Sequence, residues 1–239
     1  MQRFDVDGAH PRVGRFSIRH DAENLLRARG RFSVDASSVP WIRIARLVLA
    51  AGIVYGATMG SLGWSAAGIA YSAIKLPILL VFALCICLPS FYVVHAILGL
   101  RDDFSAAVRG IVSAQGTVAI ALCALAPVTA FVYSNRVAYS TALFWNGVAF
   151  VLAMSCGQAT LARHYRALIA RDRRHRFTLI AWFALYAFVS IKVGWVLRPF
   201  VGDPTLPIEF LREGKWAENP YSNLFWTTVA IAIKVGNGV

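Results

Sequence analysis

The sequence predicts an all-α fold: a polytopic membrane helical bundle with five to six transmembrane helices. Of the 239 residues, 58% are hydrophobic and only 15% are charged, whereas ordinary soluble domains carry about 25% charged residues. The mean hydropathy of +0.58 is correspondingly high. A nucleic-acid-binding module would share the net charge of +12 but not this hydropathy, so no nucleic-acid partner is expected.

Five stretches are long enough to span a bilayer, whose core of about 30 Å needs roughly 20 apolar residues of helix. Four of them contain no Asp, Glu, Lys or Arg and cover residues 47–74, 76–100, 110–135 and 137–162. The fifth, residues 177–200, carries an embedded Lys192. Residues 221–233 form a shorter apolar stretch. A sixth short span is the preferred interpretation, with a re-entrant arm and an interfacial helix as alternatives.

The chain divides into an Arg-rich arm, residues 1–40, and a transmembrane bundle, residues 41–239, with an outer loop at 199–220. The arm holds seven arginines and five acidic residues with little apolar periodicity. It is therefore expected to be mobile or to lie on the membrane surface, with one short helix over residues 21–29 that begins at Asp21. The arm has no apolar signal segment, so insertion through the first span is expected.

Positive charge predicts the orientation, because loops rich in Lys and Arg resist translocation. With a cytoplasmic amino terminus, seventeen of the 24 Lys and Arg fall on the inner side: nine within residues 3–46, Arg101 and Arg109, and six within residues 163–176. The sequence therefore predicts a multi-pass protein of the bacterial cytoplasmic (inner) membrane with its amino terminus in the cytoplasm.

Several short motifs resemble those of an uncharacterised family of bacterial multispanning inner-membrane proteins with a Yip1-like fold. The motifs are Ile-Lys-Leu-Pro at 74–77, Leu-Pro-Ser-Phe-Tyr at 88–92, Ala-Leu-Ala-Pro at 124–127 and, most specific, Trp-Val-Leu-Arg-Pro-Phe-Val-Gly-Asp-Pro at 195–204. The resemblance covers roughly residues 47–226. It implies a helical inner-membrane bundle and brings no catalytic residue with it.

Gly52, Gly56 and Gly60 recur at four-residue spacing in the first span. Glycines four apart lie on one helix face and let another backbone approach closely, which is a main source of helix association in lipid. Packing within the bundle is the preferred interpretation. A seam between two copies of the chain is the alternative.

Five charged residues form a candidate anion or ion-pair cluster on the outer side: Lys75, Lys192, Arg198, Asp203 and Glu209. Charges at membrane depth are costly unless they meet a partner or water. A cationic vestibule for an anionic solute or lipid head group is one interpretation. The other is structural, with long side chains that reach the interface and ion pairs that hold the outer loop to the bundle.

The inner loop between spans four and five forms a cytoplasmic basic patch, in which six arginines accompany one aspartate: Arg163, Arg166, Arg171, Arg173, Arg174 and Arg176. Anionic lipids attract such segments by about 1 kcal/mol for each basic residue near the surface. Anionic lipids at the cytoplasmic face are therefore expected partners. Enforcement of topology alone and docking of an acidic protein are the alternatives.

These features predict a non-catalytic integral membrane subunit or scaffold of a membrane complex, whose partner is another membrane protein or a second copy of the chain. The alternative is a small transporter or channel for an anionic solute or lipid head group. No catalytic residue, metal site or cofactor is expected, because His95 is isolated and His164 and His175 lie eleven residues apart without nearby acidic ligands.

Overall fold

The fold is that of a computed structural model, which describes residues 18–26, 41–63, 65–197, 200–201 and 210. The described chain forms six α-helices and one 3-10 turn, Ser61–Gly63, without a strand. The helices are α1 Ile18–Leu26, α2 Trp41–Gly60, α3 Ala66–Ile97, α4 Phe104–Ser134, α5 Tyr139–Arg171 and α6 His175–Val196. The predicted all-α class is confirmed.

Helices α2 to α6 are long and apolar enough to cross a membrane, which gives five candidate spans. Large apolar side chains cover their outer surfaces: Ile97 is 79%, Phe144 74% and Phe131 70% exposed. Such a surface suits contact with hydrocarbon, where lipid rather than water surrounds the helices. The prediction of a membrane helical bundle is therefore confirmed for five spans. Residues 221–233, the proposed sixth span, lie outside the described residues.

The predicted boundary between the first two spans is wrong. Residues 47–74 do not form one helix, because α2 ends at Gly60 and α3 begins at Ala66. The turn between them, residues 61–65, contains small and apolar residues and no charge, so a search for uncharged stretches passes through it. Ser65 begins the new helix, and its side chain accepts a hydrogen bond from the backbone N–H of Gly68. Lys75 therefore lies about 13 Å along α3 rather than at its start.

Consecutive spans alternate in direction. The connections of α3 to α4 and of α5 to α6 meet at one end of the bundle, where Arg174 Nη1 donates to the carbonyl of Leu98 at 3.3 Å. We call it the arginine-rich end, since the basic patch lies there. The connections of α2 to α3 and of α4 to α5 lie at the opposite end. Helices α2 and α3, α2 and α4, α4 and α5, and α3 and α6 pack extensively, whereas α5 and α6 contact each other only slightly.

The helix α1 packs into the bundle, although the arm to which it belongs was expected to be mobile or surface-bound. Leu25 is only 2% exposed and lies against Gly116 of α4 beside Ile44 of α2. Arg43 Nη1 and Asp21 Oδ1 form an ion pair at 3.2 Å. Asp21 stands in the first turn and does not start the helix, which begins three residues earlier than predicted. The expectation thus fails for residues 18–26.

Candidate functional site

Lys75 is fully buried within α3. Its ammonium nitrogen lies 5.1 Å from the centre of the Phe210 ring, and the same ring meets Tyr71 edge-on with centres 5.4 Å apart. A lysine over an aromatic face gains about 0.5–1 kcal/mol at an exposed site and about 2 kcal/mol when the pair is desolvated; Lys75 is buried, whereas Phe210 is 36% exposed. This contact compensates part of the cost of holding the charge inside the bundle.

The segment after α6 returns to α3 at the opposite end. Ser72 Oγ donates a hydrogen bond to the carbonyl of Phe200, and Val201 is buried in the same core as α2 and α4. Of the predicted charge cluster, Lys75 is buried and Lys192 is half-buried on α6. Arg198, Asp203 and Glu209 lie outside the described residues. Among the described residues, Phe200 and Phe210 contact α3 and so hold the segment after α6 against the bundle.

The three glycines of α2 all face α3. A Cβ added at Gly60 would lie 2.5 Å from the carbonyl oxygen of Gly68, and one added at Gly56 would lie 2.9 Å from the Cα of Ala73. At Gly52 the neighbour is the ring of Pro77, at 3.1 Å. The face predicted to pack therefore contacts the same chain, and it is already covered by α3.

A buried hydrogen-bond network joins α2, α4 and α5 in the half of the bundle nearer the opposite end. Tyr55 Oη donates to Asn146 Oδ1 at 3.0 Å, while Asn146 Nδ2 donates to Tyr133 Oη and to the carbonyl of Ala142 at 2.7 Å. Asn146 is only 2% exposed. One amide thus uses both its oxygen and its nitrogen to connect three helices.

Replacing this amide is expected to weaken the bundle. Asn146→Ala should lower the free energy of unfolding in mixed detergent micelles by about 2 kcal/mol, because each interhelical hydrogen bond of this kind contributes about 0.6–1 kcal/mol. Asn135→Ala is the matched control, since Asn135 is exposed at the end of α4 and its side chain donates to the carbonyl of Phe131, four residues earlier in the same segment. Equal losses in the two variants would contradict a stabilising role for the network.

A second network lies at mid-depth beside a groove. Tyr186 Oη of α6 donates to Gln115 Oε1 at 3.0 Å, and Gln115 Nε2 donates to the carbonyl of Leu80 at 3.0 Å. These bonds join α3, α4 and α6. The Tyr186 phenol and the Gln115 amide are therefore engaged with each other and with the backbone of α3.

The groove itself is a cavity of about 680 Å³ between α3, α5 and α6. Most side chains along it are apolar, including Leu79, Phe150 and Ile191. One polar atom in its walls, Gln158 Oε1, is buried without a hydrogen-bond partner among the described residues. A buried polar atom without a partner costs about 1–3 kcal/mol. An occupant with a hydrogen-bonding group would remove that cost.

The structure also brings together histidines that the sequence left isolated. His175 Nε2 lies 3.1 Å from Asp103 Oδ2, and the rings of His95 and His175 have centres 6.1 Å apart. His95 Nε2 and His175 Nδ1 are buried without hydrogen-bond partners in the described part of the chain. Over that part, no group of three or more His, Cys, Asp or Glu is placed to hold a metal ion. The sequence offered one signal for this cluster: His95, Asp103 and His175 each lie close to the end of a predicted span on the arginine-rich side.

The basic patch occupies the last turns of α5 and the start of α6. Arg166, Arg171, Arg173 and Arg176 line a pocket of about 640 Å³ together with Ile169 and Ala170. Arg163 and Arg174 lie outside this lining. Four of the six arginines of the predicted patch thus line one pocket, and the other two do not.

Comparison of the chain with protein-family models, with curated proteins and with solved structures found no match. The Yip1-like architecture suggested by the sequence motifs therefore stays a prediction.

Proposed function

We propose that this protein is a non-catalytic integral membrane subunit or scaffold of a bacterial cytoplasmic-membrane complex, with its amino terminus in the cytoplasm. The groove between α3, α5 and α6 carries the proposal. Apolar side chains line most of it, yet its wall holds Gln158 Oε1 without a partner among the described residues. A lipid acyl chain cannot hydrogen-bond to this oxygen. A transmembrane helix of a partner protein with a small polar side chain can do so, which is a common means of helix association in lipid.

The interior of the bundle supports the same proposal. Its mid-depth amides and tyrosines bond to one another across α2 to α6, and Lys75 lies beneath an aromatic ring. Such pairing is typical of a packed structural core. Transport through the bundle would instead require these groups to face water in at least one state.

Two positions on α6 test the groove. Ala187 lines it, whereas Ala184 is exposed one turn away and does not. A photo-crosslinking amino acid at position 187 is expected to capture one membrane polypeptide in stoichiometric amounts from native membranes, and the same group at position 184 is not. Ala187→Phe should weaken co-purification of that polypeptide roughly tenfold, since overpacking a tight contact costs about 1–3 kcal/mol; Ala184→Phe should not.

The other occupants give distinct products. Capture of a second copy of the chain would indicate a homo-oligomer, and an intramolecular product with residues 221–233 would place the chain's own apolar segment in the groove. Crosslinks to lipid alone from both positions would refute the partner-helix proposal.

A small transporter or channel for an anionic solute or lipid head group is the second candidate. One observation favours it: Lys75 lies inside α3, deeper than the sequence predicted, and an ionisable residue within a span often marks a substrate path. Reconstituted vesicles provide the test. Chloride or sulfate flux that depends on the protein and is lost in Lys75→Met would favour transport, and no flux above empty vesicles would remove this candidate.

A further inference from the structure

The six arginines of the basic patch fall into two groups according to their partners. Three are engaged within the chain: Arg163 Nη2 donates to Thr160 Oγ1 at 2.9 Å, Arg171 Nη1 lies 3.6 Å from Asp103 Oδ1, and Arg174 Nη1 donates to the Leu98 carbonyl. The guanidinium groups of Arg166, Arg173 and Arg176 have no ion pair or hydrogen bond with the described residues. These three are also the ones that line the pocket with Arg171.

Three unpaired guanidinium groups around one pocket repel each other, and an anion bound between them removes that repulsion. Phosphate is the group whose geometry suits them best, because the planar donors of arginine bond to two phosphate oxygens at once. Three unpaired positive charges exceed what one phosphodiester neutralises. The pocket, about 640 Å³ in volume, therefore suits a ligand with two phosphate groups.

The surroundings of the pocket distinguish a lipid from a soluble anion. Ile169 and Ala170 form part of its wall. On α6, which begins at His175, Phe177 and Ile180 are 67% and 63% exposed. Ile180 follows Arg176 by four residues and so lies one turn further along the same side of the helix, and Phe177 is the residue next to Arg176. Cationic side chains thus lie beside exposed apolar side chains at the start of α6, and hydrocarbon can cover these apolar side chains.

We infer that the pocket between the end of α5 and the start of α6 binds the headgroup of an anionic phospholipid with two phosphate groups. Arg166, Arg173 and Arg176 hold the phosphates, and Phe177 and Ile180 contact the acyl chains. Arg171 remains paired with Asp103 and borders the headgroup. The inference is independent of the scaffold proposal, because the pocket lies at the start of α6, whereas the α6 residues that line the groove begin at Tyr186, and because it needs no protein partner.

Native mass spectrometry of the full chain in non-ionic detergent tests this site, with diphosphatidylglycerol titrated at fixed ionic strength. The double variant R173Q/R176Q is expected to bind this lipid roughly tenfold or more weakly than the unaltered protein. R101Q/R109Q removes the same charge from the same end without touching the pocket, and its affinity should change by less than about threefold. Phosphatidylcholine should bind all three proteins equally weakly.

Three outcomes would overturn the inference. Equal losses of lipid affinity in the two double variants would show that the lipid is attracted by the overall charge of the arginine-rich end and not by the pocket. Displacement of the lipid by inorganic pyrophosphate at equal concentration would assign the pocket to a soluble anion. Binding of polyglutamate that needs Arg173 and Arg176, with lipid binding that does not, would assign it to an acidic protein.

Discussion

Gly56→Leu should prevent the bundle from closing between α2 and α3. A Cβ at this position would meet backbone atoms of Ser72 and Ala73, which cannot move aside as a flexible side chain would. The expected loss is about 3 kcal/mol or more in the free energy of unfolding, since overpacking against rigid neighbours is at the upper end of its usual range. Unfolding in mixed micelles and the yield of monodisperse protein measure the effect.

Gly147→Leu is the matched control, because Gly147 also lies in a spanning helix and a Cβ there has no neighbour within 4 Å. It should leave stability unchanged or slightly higher, since leucine favours helix over glycine by up to about 1 kcal/mol. A Gly56→Leu protein that keeps full stability but loses oligomer mass would instead support a seam between two copies.

Lys75→Glu is the second substitution with a large expected effect. The carboxylate would be buried against the negative face of the Phe210 ring, so attraction becomes repulsion while the cost of burying a charge persists. The loss in the free energy of unfolding should exceed the contribution of the cation–π contact itself, which is about 0.5–2 kcal/mol. Stability in mixed micelles and protease sensitivity of the segment after α6 are the two measurements.

Lys75→Met separates charge from volume. It keeps the length of the stem and removes both the attraction to the ring and the buried charge, so its loss should be clearly smaller than that of Lys75→Glu. Pairing Lys75→Met with Phe210→Ala in a double-mutant cycle isolates the contact, with an expected coupling of about 0.5–2 kcal/mol. Additive effects of these two substitutions would refute the cation–π contact.

The membrane class and the five spans followed from the sequence because the apolar composition that stabilises a helix in lipid is a local property. The packing face of α2 could also be predicted from the sequence, since Gly52, Gly56 and Gly60 recur every four residues and therefore lie on one side of the helix. The turn at residues 61–65 was missed for the same local reason. A turn inside an uncharged stretch leaves no change of charge, and only Gly60, Gly63 and Ser65 marked it.

The parts of the site that depend on three helices could not be predicted. His95, Asp103 and His175 come together only because α3, α4 and α6 share one end, and the sequence places them up to eighty residues apart. The groove is less predictable still, because it results from the slight contact between α5 and α6, neighbours in the chain that would ordinarily be expected to pack. Which arginines have partners likewise depends on Asp103 and Leu98, from another connection.

The docking of α1 has a consequence for the order of biogenesis. Leu25 packs against Gly116, a residue that the ribosome adds roughly 5–20 s later at ordinary rates of synthesis. The surface that receives α1 does not exist until α4 has entered the membrane beside α2. The helix α1 is made before α2, yet it can dock only after α4 is in place. A docked α1 therefore indicates that α2 and α4 have assembled.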